Sequence, residues 1–553
     1  MAPLSSRAVA LRAALLALAL ALAARLAAAA APPRNILFMV EDDGSMDLGV
    51  YGNRVIPTPN IDALAARGTA FDRFHTTVSS CSPSRAALMT GLPSHQNGMY
   101  GLEHGVEHFA SFSGAKSWPN VLNAAGYVTG IIGKYHVAPV ASFNFTWGND
   151  PSGPGGCQAG ASDIACPDVD YNTVARNITN MRNQAARFLD YAAAQAAPWA
   201  LYVGFGDMHR CGGPVVGEFC ELYGIDAATG RSTIPDWVPF SISPADVALP
   251  FWIQDTPIAR SDLAKSYTSK NRMDQGVGLM LALLEQRGLA NSTLIIYTAD
   301  NGAPFAAGKT NQYEVATMEP MVAVMPGAAR VGVRSVELAS TLDLFPTMLA
   351  WAGLPLPKGA SLPGGKVSYT GRSLLPLIGA ADATPAFPAP RHRLLMGRAE
   401  AAAAGAAVVA DREGAAVPAL GANATRIHGS FQHHEVQEYY PMRSVVAADP
   451  ATNASYRLIY NIASRLLYPS EATTTEPLTS RAAGGCRMRL RAYMYCAPMP
   501  GAARRATTLT QLALMYALSP RPPLRTTVAS DLWSAPAMQD LINRTRSGQD
   551  THW

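Results

Sequence analysis

The sequence predicts an α/β protein with one large, mostly parallel β-sheet flanked by helices and a smaller antiparallel domain at the C-terminus. Short, nearly continuous apolar runs recur through the N-terminal part of the chain, as expected of strands that are buried on both faces. These runs are residues 34–41, 127–133, 200–205, 293–298 and 321–325. Helical patterns lie between them, and this alternation is typical of a layered α/β domain.

Three helices have recognisable boundaries. Residues 61–67 follow Asn60, which we predict to be the N-cap. A longer helix opens at Asp255-Thr256-Pro257, with proline at its first position, and is expected to end near Gly288. A shorter helix is predicted over residues 84–90.

Three segments follow from composition. Residues 1–31 carry early arginines, a Leu/Ala run and small residues before Pro32-Pro33, which is typical of a cleaved signal peptide; an uncleaved anchor helix is the alternative. Residues 32–390 form the predicted catalytic domain. Residues 391–553 form the smaller domain, with short strand-like pieces from Tyr439 onward and low-complexity insertions rich in Ala, Gly and Pro.

Composition excludes several classes of protein. The 553 residues are 48% hydrophobic and 15% charged, which is globular rather than disordered. The net charge is only +4, and no stretch gathers Lys and Arg with aromatic residues, so no nucleic-acid partner is expected. No later run is long enough to span a membrane, and the signal peptide is the expected membrane contact.

Export changes how the asparagines and cysteines are interpreted. Six N-glycosylation sequons occur, at Asn144, Asn177, Asn291, Asn423, Asn453 and Asn543. Six of the seven cysteines are close neighbours that could form three disulfides in an oxidising compartment: Cys157 with Cys166, Cys211 with Cys220, and Cys486 with Cys496. This spacing does not prove the pairing, but it leaves Cys81 alone.

Cys81 begins the run CSPSRAALMTG, just before a predicted helix. The amide dipole at a helix N-terminus favours negative charge, so this position suits an anion or a charged transition state. A cysteine in such a place is usually structural when it is considered by itself. The whole run, with Pro83 and Arg85, is far more specific.

Polar side chains follow the ends of several predicted strands. Asp42-Asp43 and Asp300-Asn301 each end one strand, where a polar turn and a hairpin turn are the simpler alternatives. Because the carboxyl ends of parallel strands converge on one crevice, these four side chains are predicted to bind one Ca²⁺, or less favourably Mg²⁺. Lys134, His136, Asp207, His209 and Lys309 occupy similar places and are candidate catalytic or substrate-binding residues.

These motifs resemble the sulfatase family. CSPSR, Asp42-Asp43, GKYH and ADNG are general sulfatase elements. The runs HQNGMYGL and HHEVQEYYPMRS are narrower and resemble the sulfamidase branch, which hydrolyses N-sulfoglucosamine in heparan sulfate. The resemblance implies an alkaline-phosphatase-like fold for the large domain and a lysosomal or extracellular destination.

The resemblance also implies a mechanism. A formylglycine-generating enzyme oxidises Cys81 to formylglycine (3-oxoalanine), the nucleophile, and one Ca²⁺ is held by Asp42, Asp43, residue 81, Asp300 and Asn301. His209 is the implied acid for the leaving group, and His136 assists release of sulfate. Arg85, Lys134 and Lys309 stabilise negative charge on the transferred group.

Substrate binding is expected from His108 and Asp207, and from His433, His434 and Glu435 of the second domain, for which a charged surface loop is an equal alternative. Two departures concern the substrate: GLEHGVEHF differs from the sulfamidase pattern, and Lys309 stands where sulfamidases carry Arg. An O-sulfate ester of another glycan is therefore an alternative substrate, and an inactive glycan-binding protein is a further one. A phosphatase or phosphodiesterase is disfavoured by Cys81.

The family continues through a further strand and a helix beyond the position of Trp553. The small domain is expected either to be incomplete or to be completed by residues 470–527. Dimer formation is left open.

Overall fold

The computed structural model describes residues 34–104, 108–160, 166, 168–211, 218–250, 252–358 and 369–379, together with strand segments at 361–362, 365–366, 384–385, 427–432, 442–448, 455–461 and 492–495. The predicted signal peptide, His433, His434, Glu435, Cys486, Cys496, Asn423, Asn453 and Asn543 lie outside these residues. Within the described part, no helix combines the length and apolar character needed to cross a membrane.

The strands are β1 (Asn35–Glu41), β2 (Thr69–His75), β3 (Val128–Lys134), β4 (Ala159–Gly160), β5 (Trp199–Gly204), β6 (Thr293–Ala299), β7 (Met318–Val324), β8 (Val333–Ser340), β9 (Ser361–Leu362), β10 (Gly365–Lys366), β11 (Thr384–Pro385), β12 (Ile427–Gln432), β13 (Met442–Ala448), β14 (Ser455–Asn461) and β15 (Ala492–Tyr495).

The helices are α1 (Pro59–Ala66), α2 (Cys81–Thr90), α3 (Ser94–Asn97), α4 (Trp118–Ala124), α5 (Tyr171–Ala175), α6 (Ile178–Ala194), α7 (Pro257–Gln286), α8 (Glu314–Thr317) and α9 (Leu344–Trp351). Short 3₁₀ turns lie at Gly49–Tyr51, Val140–Ser142, Ala290–Ser292 and Thr341–Asp343.

Nine of the described strands form a mixed sheet in the order β11-β8-β2-β7-β6-β1-β5-β3-β4. The central strands β6, β1, β5 and β3 are parallel neighbours, whereas β7 runs antiparallel to both β6 and β2. The mostly parallel α/β sheet predicted from the sequence is therefore confirmed. The carboxyl ends of the parallel strands face one edge, which is where polar groups can converge.

Strand β1 shows why the sheet is buried on both faces. Ile36, Phe38 and Val40 pack into one apolar core, while Leu37 and Met39 pack into a second core on the other face. Each of these side chains is at most 1% exposed. Burial of an aliphatic or aromatic side chain contributes about 1.5–3 kcal/mol, so both layers of helices stabilise this strand.

Helix boundaries agree with the sequence signals in one case and differ in two. Helix α7 begins at Pro257 after Thr256, whose side chain accepts a hydrogen bond from the Ala259 amide. Helix α1 begins at Pro59, so the prediction that Asn60 is its N-cap is wrong. Helix α2 begins at Cys81 rather than Ser84, because three further residues join its first turn.

Asp274 of α7 takes over the role expected of a cap for α1. Its carboxylate accepts hydrogen bonds from the amides of Asn60 (3.2 Å) and Ile61 (2.9 Å) and from Asn60 Nδ2 (2.8 Å). Burial raises the pKa of Asp274 to about 6, although these hydrogen bonds lower it. A helix packed across the chain thus supplies acceptors that the local sequence lacks.

Asp274→Asn is expected to alter how stability depends on pH. The pKa of Asp is near 3.9 in the unfolded chain, and that of Asp274 is about 6 in the folded protein. The protonated carboxyl therefore stabilises the folded state fully below pH 4, and this stabilisation is lost as the pH rises through 6. The free energy of unfolding of the variant, relative to the wild type, should therefore increase by about 2–3 kcal/mol between pH 4 and pH 7. Urea unfolding across this range measures it, with exposed Asp168→Asn as the control. Parallel pH profiles for Asp274→Asn and the wild type would contradict the assignment.

The C-terminal strands form a separate antiparallel sheet in the order β12-β13-β14-β15. The strand-like pieces predicted after Tyr439 correspond to β13 and β14. This confirms antiparallel pairing in the C-terminal region, while the boundary at residue 390 remains a prediction.

Candidate active site

The predicted site residues meet at the carboxyl edge of the central strands. Asp42 and Asp43 follow β1, Asp300 and Asn301 follow β6, and Lys134 ends β3. Each of these five side chains is at most 3% exposed. Helix α2 points its first turn at the same place, since Cys81 Sγ lies 3.8 Å from Asp42 Oδ1 and 3.7 Å from Asp43 Oδ1.

Arg85, one turn further along α2, contacts two of the carboxylates. Its Nε donates to Asp300 Oδ2 at 2.8 Å, and its second terminal nitrogen lies 3.2 Å from Asp42 Oδ1. The remaining nitrogen donates to the Tyr202 hydroxyl (2.7 Å) and the Lys134 carbonyl (3.3 Å). The guanidinium is fully buried and already occupied. Arg85 therefore fixes the positions of Asp42 and Asp300, and its stabilisation of negative charge on a transferred group remains a prediction.

Asp42 is held by Lys134 and Tyr171 as well as by Arg85. Lys134 Nζ lies 2.7 Å from both of its carboxylate oxygens, and the Tyr171 hydroxyl donates to Oδ2 at 3.0 Å. Burial by itself raises the pKa of Asp42, but the charges of Lys134, His209, Arg85 and Lys309 hold it well below its usual range. Asp42 is thus a fixed anion.

Asp43, Asp300 and Asn301 are joined to one another by hydrogen bonds. Asp300 Oδ1 accepts from the amides of Asp43 (3.0 Å) and Asn301 (2.8 Å), and Asn301 Nδ2 donates to Asp43 Oδ1 at 2.8 Å. Asn301 Oδ1 is buried without a hydrogen-bond partner within the described residues. A buried amide oxygen beside three carboxylates is an unsatisfied acceptor that a cation would satisfy.

The types of donor atom, rather than a net negative charge, fit a divalent cation. Three protein cations, Arg85, Lys134 and Lys309, balance three aspartates in the group. Burial nevertheless raises the pKa of Asp300 to about 7, with Arg85 opposing the shift. The oxygen donors Asp42, Asp43, Asp300 and Asn301 are those that Ca²⁺ prefers, so these residues are able to hold the predicted ion.

The Cys81 thiol is not arranged as a thiolate nucleophile. Lys309 Nζ lies 3.0 Å from Sγ and 2.9 Å from Asp43 Oδ1. Burial nonetheless raises the pKa of Cys81 far above its usual value, and the nearby aspartates reinforce that shift. Reactive cysteines have lowered pKa values, so the Cys81 thiol is not poised to act as a thiolate.

Two histidines flank this group, on different sides. His209 Nε2 lies 3.7 Å from Asp43 Oδ2, and its Nδ1 is 2.7 Å from the Arg210 carbonyl, to which it donates. Burial lowers the pKa of His209 to about 4, so the ring is neutral near pH 7 and presents an unprotonated Nε2. His136 follows β3 by two residues, and burial lowers its pKa well below the usual value, as do Lys134 and His104.

Backbone conformation at the site is unusual. Asp43 and His136 have φ angles of 55° and 54°, in the left-handed region that non-glycine residues rarely adopt. Gly133, just before Lys134, has φ +87°, and a Cβ there would lie 1.9 Å from the Gly204 carbonyl oxygen. Close approach of β3 and β5 therefore requires glycine at this position.

Asp207 is paired with two arginines. Its carboxylate is 2% exposed and paired with Arg176 (3.0 Å) and Arg272 (2.8 and 2.9 Å), which occupy its oxygens. These pairs give Asp207 a structural role, and its substrate-binding role remains a prediction. Its backbone pairs with Asp42 as well, through Asp42 N to Asp207 O at 3.2 Å and Met208 N to Asp42 O at 2.8 Å.

The other predicted sites are distributed as follows. His108 is exposed and lies outside the hydrogen-bonded group, so its substrate role remains a prediction. Disulfides join Cys157 to Cys166 and Cys211 to Cys220, and Cys81 is a free, buried cysteine. Asn144 and Asn291 are exposed, whereas Asn177 is half-buried and caps α6 by accepting from the Asn180 amide.

Sequence reasoning missed three polar neighbours. Tyr171, Tyr202 and His104 contact Asp42, Arg85 and His136, respectively. Tyr202 lies in a predicted strand, where its alternation with Leu201 and Val203 could have placed its ring on the face of α2. Tyr171 carries no local signal of this kind.

Comparison with known proteins decides the family. The family model described as Sulfatase matches residues 33–354, which is more than half of the chain. The chain belongs to the sulfatase family. This sulfatase is 38% identical to human N-sulphoglucosamine sulphohydrolase over 526 residues, which cover 95% of this chain and 80% of the relative. It is also 31% identical to human arylsulfatase A over 402 residues, 64% of this chain and 68% of the relative.

Among solved structures, this sulfatase is similar to one described as a 2-O GAG sulfatase. The TM-score is 0.47 and the sequence identity is 17%, covering 79% of this chain and 86% of that chain. The family match makes the protein a sulfatase hydrolase, as predicted from CSPSR.

Proposed function

We propose that this sulfatase removes sulfate from N-sulfoglucosamine residues of heparan-sulfate-like glycans, using formylglycine at position 81 and one Ca²⁺. The 38% identity to N-sulphoglucosamine sulphohydrolase over 95% of the chain carries the substrate assignment. The buried thiol beside four oxygen donors supports the chemistry.

Two groups would be added to the chain. Asp42, Asp43, Asp300 and Asn301 would hold Ca²⁺, which supplies positive charge beside the sulfuryl group. Formylglycine, whose hydrate carries two hydroxyl groups on one carbon, would supply one hydroxyl oxygen to attack sulfur and a second hydroxyl whose loss of a proton would regenerate the aldehyde and expel sulfate.

The chain's own residues position the reacting groups and handle protons. Helix α2 aims residue 81 and its N-terminal amides at the anion. Lys309, 3.0 Å from Sγ and 14% exposed, is the cation best placed to contact the sulfuryl oxygens, while Lys134 fixes Asp42. Because His209 is only half-buried, its Nε2 can reach both solvent and a leaving group.

His209 is therefore assigned the proton transfer to the leaving nitrogen. Its neutral resting state means that it must gain a proton when the anionic substrate arrives, since a negative charge nearby favours the imidazolium form. His136, neutral as well, is assigned to accept a proton from residue 81 during sulfate release.

The destination and modifications belong to the same proposal. Two disulfides agree with folding in an oxidising compartment. We infer a glycoprotein of the secretory pathway, modified there by a formylglycine-generating enzyme and delivered to lysosomes or to the cell exterior.

The first test is the chemical state of residue 81 in secreted protein. Mass spectrometry of the peptide that spans position 81 should show an aldehyde in place of the thiol. The disulfide-bonded Cys157–Cys166 peptide serves as an internal control for cysteine that keeps its sulfur. Finding only alkylatable cysteine at position 81 in active protein would reject the mechanism.

The second test is a substrate panel. The enzyme should release sulfate from N-sulfated glucosamine with a larger kcat/KM than from the 6-O-sulfated isomer. Lys309 favours the competing O-sulfatase assignment, because sulfamidases carry Arg there and Lys offers no bidentate contact. If the enzyme is nevertheless a sulfamidase, Lys309→Arg should retain activity on the N-sulfated sugar. Hydrolysis of the O-sulfated isomer alone would assign the enzyme to another sulfated glycan.

A further inference from the structure

Glu103, His104 and His136 form a second group of potential metal ligands, which we call the Glu-His-His cluster. One ligand atom from each residue lies within 4.8 Å of the other two. Glu103 is 0% exposed, His136 is 3% exposed, and His104 is half-buried. None of these side chains belongs to the calcium group.

The two imidazoles of the cluster face each other at close range. His136 Nε2 and His104 Nδ1 share a hydrogen bond at 2.6 Å, whose proton a bound ion would replace, and the rings are stacked with centroids 4.5 Å apart. A tetrahedral ion with ligand bonds of about 2.0 Å separates its ligand atoms by roughly 3.3 Å. That spacing lies between the observed nitrogen contact and the 4.8 Å limit of the cluster. Small side-chain adjustments would therefore seat an ion.

The cluster is held by the same helix as the catalytic residue. The Glu103 amide donates to Ser82 Oγ at 3.1 Å, next to Cys81 on α2. His136 is carried by the end of β3, two residues beyond Lys134. Glu103 and His104 belong to one anchored segment and His136 to another. The three side chains are therefore close together before an ion binds.

The donor types select the metal. One carboxylate and two imidazoles match the ligand set of open zinc sites, which keep a fourth position for water or an anion. Imidazole nitrogen suits Zn²⁺ and its neighbours in the transition series, whereas Ca²⁺ takes oxygen ligands.

We propose that the Glu-His-His cluster binds one Zn²⁺ in addition to the calcium ion, and that zinc inhibits hydrolysis by withdrawing His136 from proton transfer. The inhibition, but not the binding, rests on the proposed function of His136. The site thereby gives the enzyme a sensitivity to a transition metal that its calcium chemistry does not need.

Binding is tested with Co²⁺ as a spectroscopic probe of the zinc site. The full-length chain carries Cys81→Ser, which removes the thiol as a ligand, and is saturated with Ca²⁺ to fill the oxygen site. We expect one equivalent of Co²⁺ to give visible absorption typical of tetrahedral nitrogen and oxygen ligation, and Zn²⁺ to displace it. His104→Gln and Glu103→Gln should each weaken cobalt binding at least about 10-fold. His108→Ala, a histidine of the same segment outside the cluster, should not.

Thermal denaturation of each variant shows whether it is folded. A folded His104→Gln protein that binds Co²⁺ as tightly as the parent does would overturn the site. The absence of a cobalt spectrum from the calcium-saturated parent would do the same.

Inhibition is tested separately on mature enzyme that retains residue 81. Zn²⁺ should inhibit it, and His104→Gln should raise the inhibitory zinc concentration at least about 10-fold. Equal inhibition of both proteins would overturn the inhibitory role. If the mature enzyme hydrolyses none of the sulfated sugars, the proposed function fails while the cobalt measurement still decides the metal site.

Discussion

Cys81→Ser is expected to lower sulfate release by at least about 10³-fold, because one hydroxyl on residue 81 can attack sulfur only once. The product would be a sulfate ester of serine, which has no second hydroxyl on the same carbon to form an aldehyde and expel the sulfate. Incubation with substrate should therefore leave the Cys81→Ser protein carrying the mass of one sulfuryl group.

Cys81→Ala is the matched control for this experiment. It lacks any hydroxyl, so it should be equally inactive but should gain no mass. Both substitutions remove a buried thiol without adding volume, and circular dichroism of the two proteins should match that of the parent. Turnover by Cys81→Ser near the parental rate, or sulfuryl transfer to Cys81→Ala at another residue, would refute residue 81 as the nucleophile.

Removal of calcium is expected to have the second large effect, on both activity and stability. A ligand that binds only the folded state, and is present at 1,000 times its Kd, raises the free energy of unfolding by about 4 kcal/mol. Without the ion, Asp42, Asp43 and Asp300 remain buried within one group, and the Asn301 amide oxygen stays unsatisfied. Chelation should therefore abolish turnover and lower Tm, and added Ca²⁺ should restore both.

Asn301→Leu separates the ion's contribution from that of the protein. Leucine has a similar volume but no oxygen, so calcium should raise the Tm of the variant much less than that of the parent. Mg²⁺ serves as the ionic control, since it prefers smaller octahedral sites with several waters. An unchanged calcium-dependent rise in Tm for Asn301→Leu would exclude Asn301 as a ligand.

The strands that could be predicted are those buried on both faces. Strands β1, β3, β5, β6 and β7 read as apolar runs because helices cover each side of the central sheet. Strands β2 and β8 escaped prediction because charged residues interrupt them: Asp72 of β2 pairs with Arg334 of β8. Such a cross-strand pair stabilises neighbouring strands but erases the apolar pattern on which prediction depends.

The site was predictable where residues stand at strand ends. Asp42, Asp43, Asp300, Asn301 and Lys134 converge because topology brings those ends together. Roles that depend on a partner elsewhere in the chain were not predictable. Asp207 looked available, yet Arg272, 65 residues further along, occupies it. Tyr171 is 129 residues from Asp42, and no local pattern reports that contact.

The burial of Cys81 restricts when an enzyme could modify it. The side chain is 1% exposed, inside a helix whose ten residues are all buried, so a modifying enzyme cannot reach it after the sheet and α2 have packed. If Cys81 is converted to formylglycine as proposed, its oxidation would have to precede this packing. Sequence changes that hasten packing of α2 would yield more stable but less completely activated molecules, and changes that delay it would do the reverse. Under the proposed function, the fraction of active molecules would depend on the relative rates of oxidation and folding as well as on the final structure.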